Sequence, residues 1–172
     1  MVSGKAQYEW DAYLLGIAEA ASKKSKDPKT KVGAAIVAGT VVVSTGFNGF
    51  PRGVDEAPER WERPTKYRFV AHAEANAICN AAREGINTTG CTLYLHGFPG
   101  PCIDCAKLII QAGIGRVVWK PGWYSDPQER EDSDSARVQW KEDLDFAVAL
   151  LEEGDVLISI LPLRWPDYPA IV

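Results

Sequence analysis

The stretch "RVQWKEDLDFAVALLEEGDVLISIL", residues 137–161, decides the fold. Residues 137–154 read as a helix and 155–161 as a strand. Directly upstream, "IGRVVWK" (114–120) reads as another strand. A helical crossover between consecutive strands brings them together in parallel, whereas a tight hairpin makes them antiparallel. Strands four and five of this chain are therefore expected to be parallel.

Working outward from that crossover, "PCIDCAKLIIQAG" (101–113) opens on Pro and closes on Gly, the usual punctuation of a helix. "CTLYLHG" (91–97) is a strand, and residues 72–84 form a helix that ends before Gly85. "VGAAIVAGTVVVSTGF" (32–47) holds two β-rich runs around "AGT", a hairpin. In "EWDAYLLGIAEAASKKS" (9–25), Trp10, Leu14, Ile17, Ala18 and Ala21 fall at helical spacing, and "DP" at 27–28 stops the helix. The order α-β-β-α-β-α-β-α-β predicts an α/β chain with three α/β/α layers: a mixed five-stranded sheet with helices on both faces. Residues 48–67 form a long loop rich in Gly, Pro and charge, and loops of that length in a compact domain are usually functional or mobile. Residues 121–136 are polar and acidic, and are expected to be irregular. No internal repeat is evident.

With 172 residues the chain is expected to form a single domain, its core over about 5–161 and a tail over 162–172. No stretch approaches the roughly 20 apolar residues of a membrane span. The N-terminus lacks the apolar segment of a secretory signal. A cytoplasmic location is expected, the host cytoplasm if the source is viral. The four cysteines are then better read as thiols or metal ligands than as disulfides. The formal net charge of −4 argues against a grip on nucleic acid, which normally takes a basic excess.

Chemistry gathers at two helix starts. Cys102 and Cys105 form a C-x-x-C whose i, i+3 spacing puts both sulfurs on one helix face. A helix N-terminus favours thiolate, the metal-binding form. His72, one of only two histidines, opens the helix of residues 72–84. Two sulfurs and an imidazole suit Zn²⁺ and leave one tetrahedral position for water, the catalytic arrangement. Glu74 can take a proton from that water and deliver it to a substrate. Singly, each motif has a plain alternative. The cysteines could be a redox pair or two buried thiols, and the histidine and glutamate a polar helix start. Together, H-x-E followed by P-C-x-x-C is the signature of zinc deaminases.

On those residues, together with "GFNGFPRG" (46–53), "HAEANAI" (72–78), "PCIDCAKLIIQAGI" (101–114) and "SKDPKTKVGAAIV" (25–37), the chain resembles the cytidine deaminase superfamily, and within it the deoxycytidylate (dCMP) deaminases. The resemblance covers residues 8–120 well and 121–160 loosely. It implies zinc held by His72, Cys102 and Cys105. It implies Glu74 as the residue that moves protons between the attacking water, pyrimidine N3 and the leaving amine, turning dCMP into dUMP and ammonia. It places Asn48 near the sugar, and the backbone at Ala73 and around Gly100 near the base. Tyr124 fits a tyrosine near the substrate or a neighbouring subunit, or an ordinary loop aromatic. The resemblance also implies a homo-oligomer, favouring a hexamer, activated by dCTP with Mg²⁺ and inhibited by dTTP. Phe47, Asn48, Gly49 and Arg52 are the positions where that regulation would fall.

Two departures stand out. The family commonly has Tyr at Phe47, and "FPGPC" (98–102) lacks the usual acidic or aromatic residue directly before Pro-Cys. For a phosphate, Ser25, Lys26 and Lys31 are candidates because they precede the hairpin that leads to Asn48. A solvated helix end is the plain alternative for those lysines. His96 reads as a strand-end histidine with no metal role, and Cys79 and Cys91 as small buried hydrophobes. The competing readings are a deaminase of bases in tRNA or single strands, disfavoured by the acidic run 129–135, a zinc-stabilised nucleotide sensor without chemistry, and a free-nucleoside cytidine deaminase, disfavoured by the lysine cluster and the helix before the last strand.

Overall fold

The structure is a computed structural model that describes residues 4–121 and 134–162; over 134–139 it describes the backbone alone. Its elements are α1 (Gly4–Ser22), β1 (Gly33–Ala38), β2 (Val41–Phe47), a 3-10 turn (Pro58–Trp61), a short α2 (Lys66–Phe69), α3 (Ala73–Arg83), β3 (Thr92–His96), α4 (Ile103–Gln111), β4 (Arg116–Trp119), α5 (Asp134–Glu153) and β5 (Leu157–Ile160). They build one mixed sheet in the order β2-β1-β3-β4-β5. β1 pairs antiparallel with both β2 and β3. β3, β4 and β5 run parallel, with Leu93 opposite Val117 and Val117 opposite Ile158. The crossover read from residues 137–161 thus has the expected outcome.

Layering follows from the period-two alternation of strand side chains. Ala34, Ile36, Leu93, Leu95, Val117 and Trp119 face one way, packing with Ala73 and Ala77 of α3, Ala106 and Ile109 of α4, and Ala147 and Leu151 of α5. Ala35, Val37, Tyr94 and Val118 face the other way, against Leu14, Leu15 and Ala18 of α1. Both faces are covered, so β1 and β4 read as continuous apolar runs rather than as alternating ones. Each large aliphatic side chain buried this way contributes about 1.5–3 kcal/mol.

Two differences from the sequence reading have local causes. α1 spans Gly4–Ser22 rather than 9–25. Beyond Ser22, side chains take the backbone N–H groups that a helix would need. Ser25 Oγ accepts from Asp27 N at 3.2 Å, and Asp27 Oδ1 accepts from Lys29 and Thr30 N at 2.9 and 3.1 Å. The long loop over 48–67 holds a 3-10 turn and the start of α2. Phe50 stacks on Trp61 at 4.3 Å and packs against Phe69, and a Gly49–Ala71 bridge closes the segment. Most of the acidic segment 121–136 and of the tail lies outside the described residues. Among the described residues, no helix is long and apolar enough to cross a membrane.

Candidate active site and metal centre

Two helices on the same face of the sheet begin side by side, and their first residues make the site. His72 occupies the N-cap position of α3 in extended backbone, and Cys102 occupies that of α4. Neither side chain caps its own helix. They meet each other instead: His72 Nδ1 lies 3.3 Å from Cys102 Sγ and 3.4 Å from Cys105 Sγ. The three ligand atoms lie within 4.8 Å of one another, the one such cluster of three among the described residues. One imidazole nitrogen and two sulfurs at that spacing fit Zn²⁺.

Placement of α3 depends on Gly46. A Cβ there would overlap the Ala73 carbonyl and the Ala77 backbone N, so the absence of a side chain lets α3 lie directly on β2. Ser44 Oγ then donates to the Ala77 carbonyl at 2.7 Å, and Asn76 Nδ2 to the Phe47 carbonyl at 2.8 Å. At the other helix, Asp143 Oδ2 of α5 accepts the Ile103 N–H at 3.1 Å and satisfies the open first turn of α4.

The ligand groups share protons through hydrogen bonds within the cluster, protons that a bound metal ion would displace. The hydrogen bond to Cys102 raises His72 to about 9 against the opposing effect of burial, and the Glu74 carboxylate adds to the rise. Cys102 is lowered to about 4, first by the hydrogen bond from Cys105 and then by His72. Cys105 is raised, because it serves Cys102 as donor and is itself buried. Glu74, 4% exposed, is lifted by desolvation to about 7, although the neighbouring His72 pulls it down. A carboxyl poised near neutrality can both accept and return a proton.

These groups open into a cavity of about 590 Å³, within the size range of ligand sites. His72, Ala73, Glu74 and Cys102 form its floor. Asn48, Asp27 and Lys66 stand on one wall, Phe98 and Trp140 contribute aromatic surface, and Lys29, Lys31, Arg63 and Tyr67 complete the lining with Thr30, Val32, Val70 and Gly97. Asn48 is fixed on all sides. Its Oδ1 accepts from Val32 N at 2.8 Å, its Nδ2 donates to the Thr30 carbonyl at 2.8 Å, and Asp27 Oδ2 lies 3.4 Å away.

The structure does not bring every expected residue to the cavity. Ser25 is buried beneath it, its hydroxyl donating to the Asn48 carbonyl at 2.8 Å. Lys26 points elsewhere and pairs with Glu56 at 2.8 Å. Gly100, at φ +137, is buried against Leu144 and Trp119 and does not line the cavity. Lys31 does line it, with its ammonium donating to the Ser25 carbonyl at 2.8 Å. Phe47, Gly49 and Arg52 lie outside the cavity, where Arg52 donates to Asn80 Oδ1 of α3 at 2.8 Å. Tyr124 lies outside the described residues. His96 ends β3 apart from the metal cluster. Cys91 is buried, whereas Cys79 is exposed on α3, contrary to the small-hydrophobe reading. Sequence reasoning missed Asp27, Lys66, Arg63, Phe98, Trp140 and Asp143. Of these, only Asp27 carried a local signal, an Asp-Pro at a helix stop.

The family model for the cytidine and deoxycytidylate deaminase zinc-binding region matches residues 8–120, and the chain belongs to that family. Human deoxycytidylate deaminase is 41% identical over 128 residues, 70% of this chain and 70% of that protein. An uncharacterized deaminase of Aliivibrio fischeri is 36% identical over 155 residues, 90% of this chain and 95% of that one. Among solved structures, the dCMP deaminase of cyanophage S-TIM5, in complex with dCMP and dUMP, superposes with a TM-score of 0.66 at 25% identity, covering 88% of this chain and 96% of that one.

Proposed function

We propose that this chain is a zinc-dependent hydrolase that converts dCMP to dUMP and ammonia. The observation that carries the reading is Glu74, a carboxyl buried beside a His72–Cys102–Cys105 cluster on the floor of a nucleotide-sized cavity. The relatives named deoxycytidylate deaminase and the cyanophage enzyme's complex with dCMP and dUMP support this choice of substrate.

His72, Cys102 and Cys105 would hold the zinc, which when bound supplies a Lewis acid that makes a water acidic enough to attack at neutral pH. Glu74 does the proton work. It accepts a proton from the attacking water and hands one to N3 of the pyrimidine as the water oxygen bonds to C4. It then carries a second proton to the amino group, the C4–N bond breaks, ammonia leaves and C4 becomes a carbonyl. Burial raises the Glu74 carboxyl above the ordinary carboxylate range, which favours its return of a proton. The fixed Asn48 is the candidate contact for the deoxyribose, and the Ala73 backbone faces the base.

Phosphate recognition falls on Lys29, Lys31 and Arg63, since Lys66, the other lysine of the cavity wall, is paired with Asp27. This replaces Ser25 and Lys26, which lie elsewhere. Regulation by dCTP with Mg²⁺ and by dTTP, in a hexamer, is a finer extension. It would use the β2 end, where Phe47 and Arg52 are exposed next to Asn48 and Gly49. Velocity against dCMP measured with and without dCTP tests that extension: curves that dCTP leaves unchanged contradict it.

The test of the main reading is ammonia release from dCMP, CMP, deoxycytidine and dCTP, with zinc measured on the same sample. The expected result is one zinc per chain and a clear preference for dCMP. Activity on deoxycytidine equal to that on dCMP would contradict the phosphate reading.

A further inference from the structure

We infer that Trp140 of α5 is a substrate-contacting specificity residue whose indole packs against the pyrimidine ring of the bound nucleotide. The inference rests on the nucleotide-deaminase reading above and adds a residue that the family's motifs do not contain. Trp140 lies beyond residues 8–120, the part of the chain that the family model matches.

α5 is nonetheless fastened to the site at three points. Asp143 Oδ2 accepts the Ile103 N–H at 3.1 Å, which ties α5 to the turn that carries Cys102 and Cys105. Leu144 packs against the Gly100 turn, where an added Cβ would come within 3.4 Å of it. One helical turn before, Trp140 meets Phe98 edge to face, with centroids 5.3 Å apart and planes at 74°. That pairing is a favoured aromatic geometry, and it fixes the direction of both rings.

Phe98 and Trp140 are both only partly buried, and both line the cavity that holds Glu74 and Cys102. The rest of the wall is sorted by chemistry. Lys29, Lys31 and Arg63 offer cations for a phosphate, and Asn48 offers hydrogen bonds. An oriented indole lining the same cavity as the Glu74 carboxyl offers a π-face, the natural partner of a base. The turn at 98–102 supplies Phe98 to the cavity, and α5 adds the indole of Trp140 against it.

The experiment is a titration with dUMP, followed in parallel by intrinsic fluorescence and by calorimetry. It compares the wild type with W140F, W140A and W61F, since Trp61 stacks on Phe50 and does not line the cavity. dUMP is expected to change the fluorescence of the wild type and of W61F. W140F is expected to lose that change while still binding dUMP. W140A is expected to bind dUMP about tenfold more weakly and to raise KM for dCMP to a similar extent, the size of one base–aromatic stacking contact. A wild-type fluorescence response in W140F overturns the inference, as does wild-type dUMP affinity in W140A. If W140A fails to fold, W140F decides. A wild-type protein that does not bind dUMP overturns the nucleotide reading and this inference with it. Normal wild-type binding with an unchanged response in W140F overturns the role of Trp140 alone.

Discussion

Lys66 Nζ lies 2.8 Å from Asp27 Oδ2, in an ion pair whose side chains are 5% and 1% exposed. The pair joins three segments that wall the cavity. Asp27 holds the lysine-bearing turn through the Lys29 and Thr30 N–H groups, Lys66 opens α2, and Asn48 donates toward the same carboxylate. A buried pair of this kind gains little over an apolar replacement of both partners, yet is costly to break from one side.

Replacing Lys66 with Met should therefore leave a buried, unpaired Asp27 and cost about 3–5 kcal/mol, read as a shift in urea midpoint. The double variant Asp27→Asn, Lys66→Met should recover part of that loss. A double variant less stable than K66M would show that the pair does not act as a unit.

The same pair predicts an acid limb. Burial raises the Asp27 carboxyl, but the hydrogen bond from Lys66 and those from the Lys29 and Thr30 backbone outweigh it, so Asp27 is lowered overall. A carboxyl with a depressed folded pKa stabilises the fold above its unfolded value, about 3.9, and loses that contribution as pH falls through the folded value. The stability advantage of wild type over D27N should shrink as pH drops below about 4. A gap that stays constant with pH contradicts the assignment.

Gly46→Ala places a Cβ into the Ala73 carbonyl and the Ala77 N, backbone atoms that cannot swing aside. The start of α3 must then move, taking His72 and Glu74 with it. The expected outcome is a loss of at least about 2 kcal/mol together with substoichiometric zinc. Full zinc content with wild-type stability would mean that α3 has room that the structure does not show.

Arg63→Ala removes a cation from the cavity wall. KM for dCMP should rise by about tenfold, with kcat and the activity on deoxycytidine little changed. An equal effect on both substrates would assign Arg63 to shaping the loop rather than to the phosphate.

The parallel half of the sheet was legible from the helix between 114–120 and 155–161, because a crossover constrains strand direction whatever its side chains. The metal cluster was legible because C-x-x-C spacing puts both sulfurs on one helix face and because H-x-E followed by P-C-x-x-C is a known signature that joins His72 to them. Apart from Asn48 and Lys31, the polar and aromatic wall of the cavity was not. Asp27 and Lys66 are 39 residues apart, and Phe98 and Trp140 are 42 apart. No periodicity links such pairs; only the folded 48–67 segment and the docking of α5 bring them together. The lysine cluster misled in the opposite way. Its place before the hairpin that leads to Asn48 suggested Lys26, but Lys26 pairs with Glu56 beside the Asx turn at Asp27, and Lys31 lines the cavity.

The central claim is that Glu74 moves the protons of deamination beside a zinc held by His72, Cys102 and Cys105. Its most direct test is ammonia release from dCMP by Glu74→Gln, with zinc measured on the same protein. Gln keeps the size of the side chain and its hydrogen-bonding capacity but cannot shuttle a proton. The account predicts one zinc per chain, retained dUMP binding and a rate lowered by at least about a hundredfold. Wild-type ammonia release by the zinc-loaded variant would contradict it.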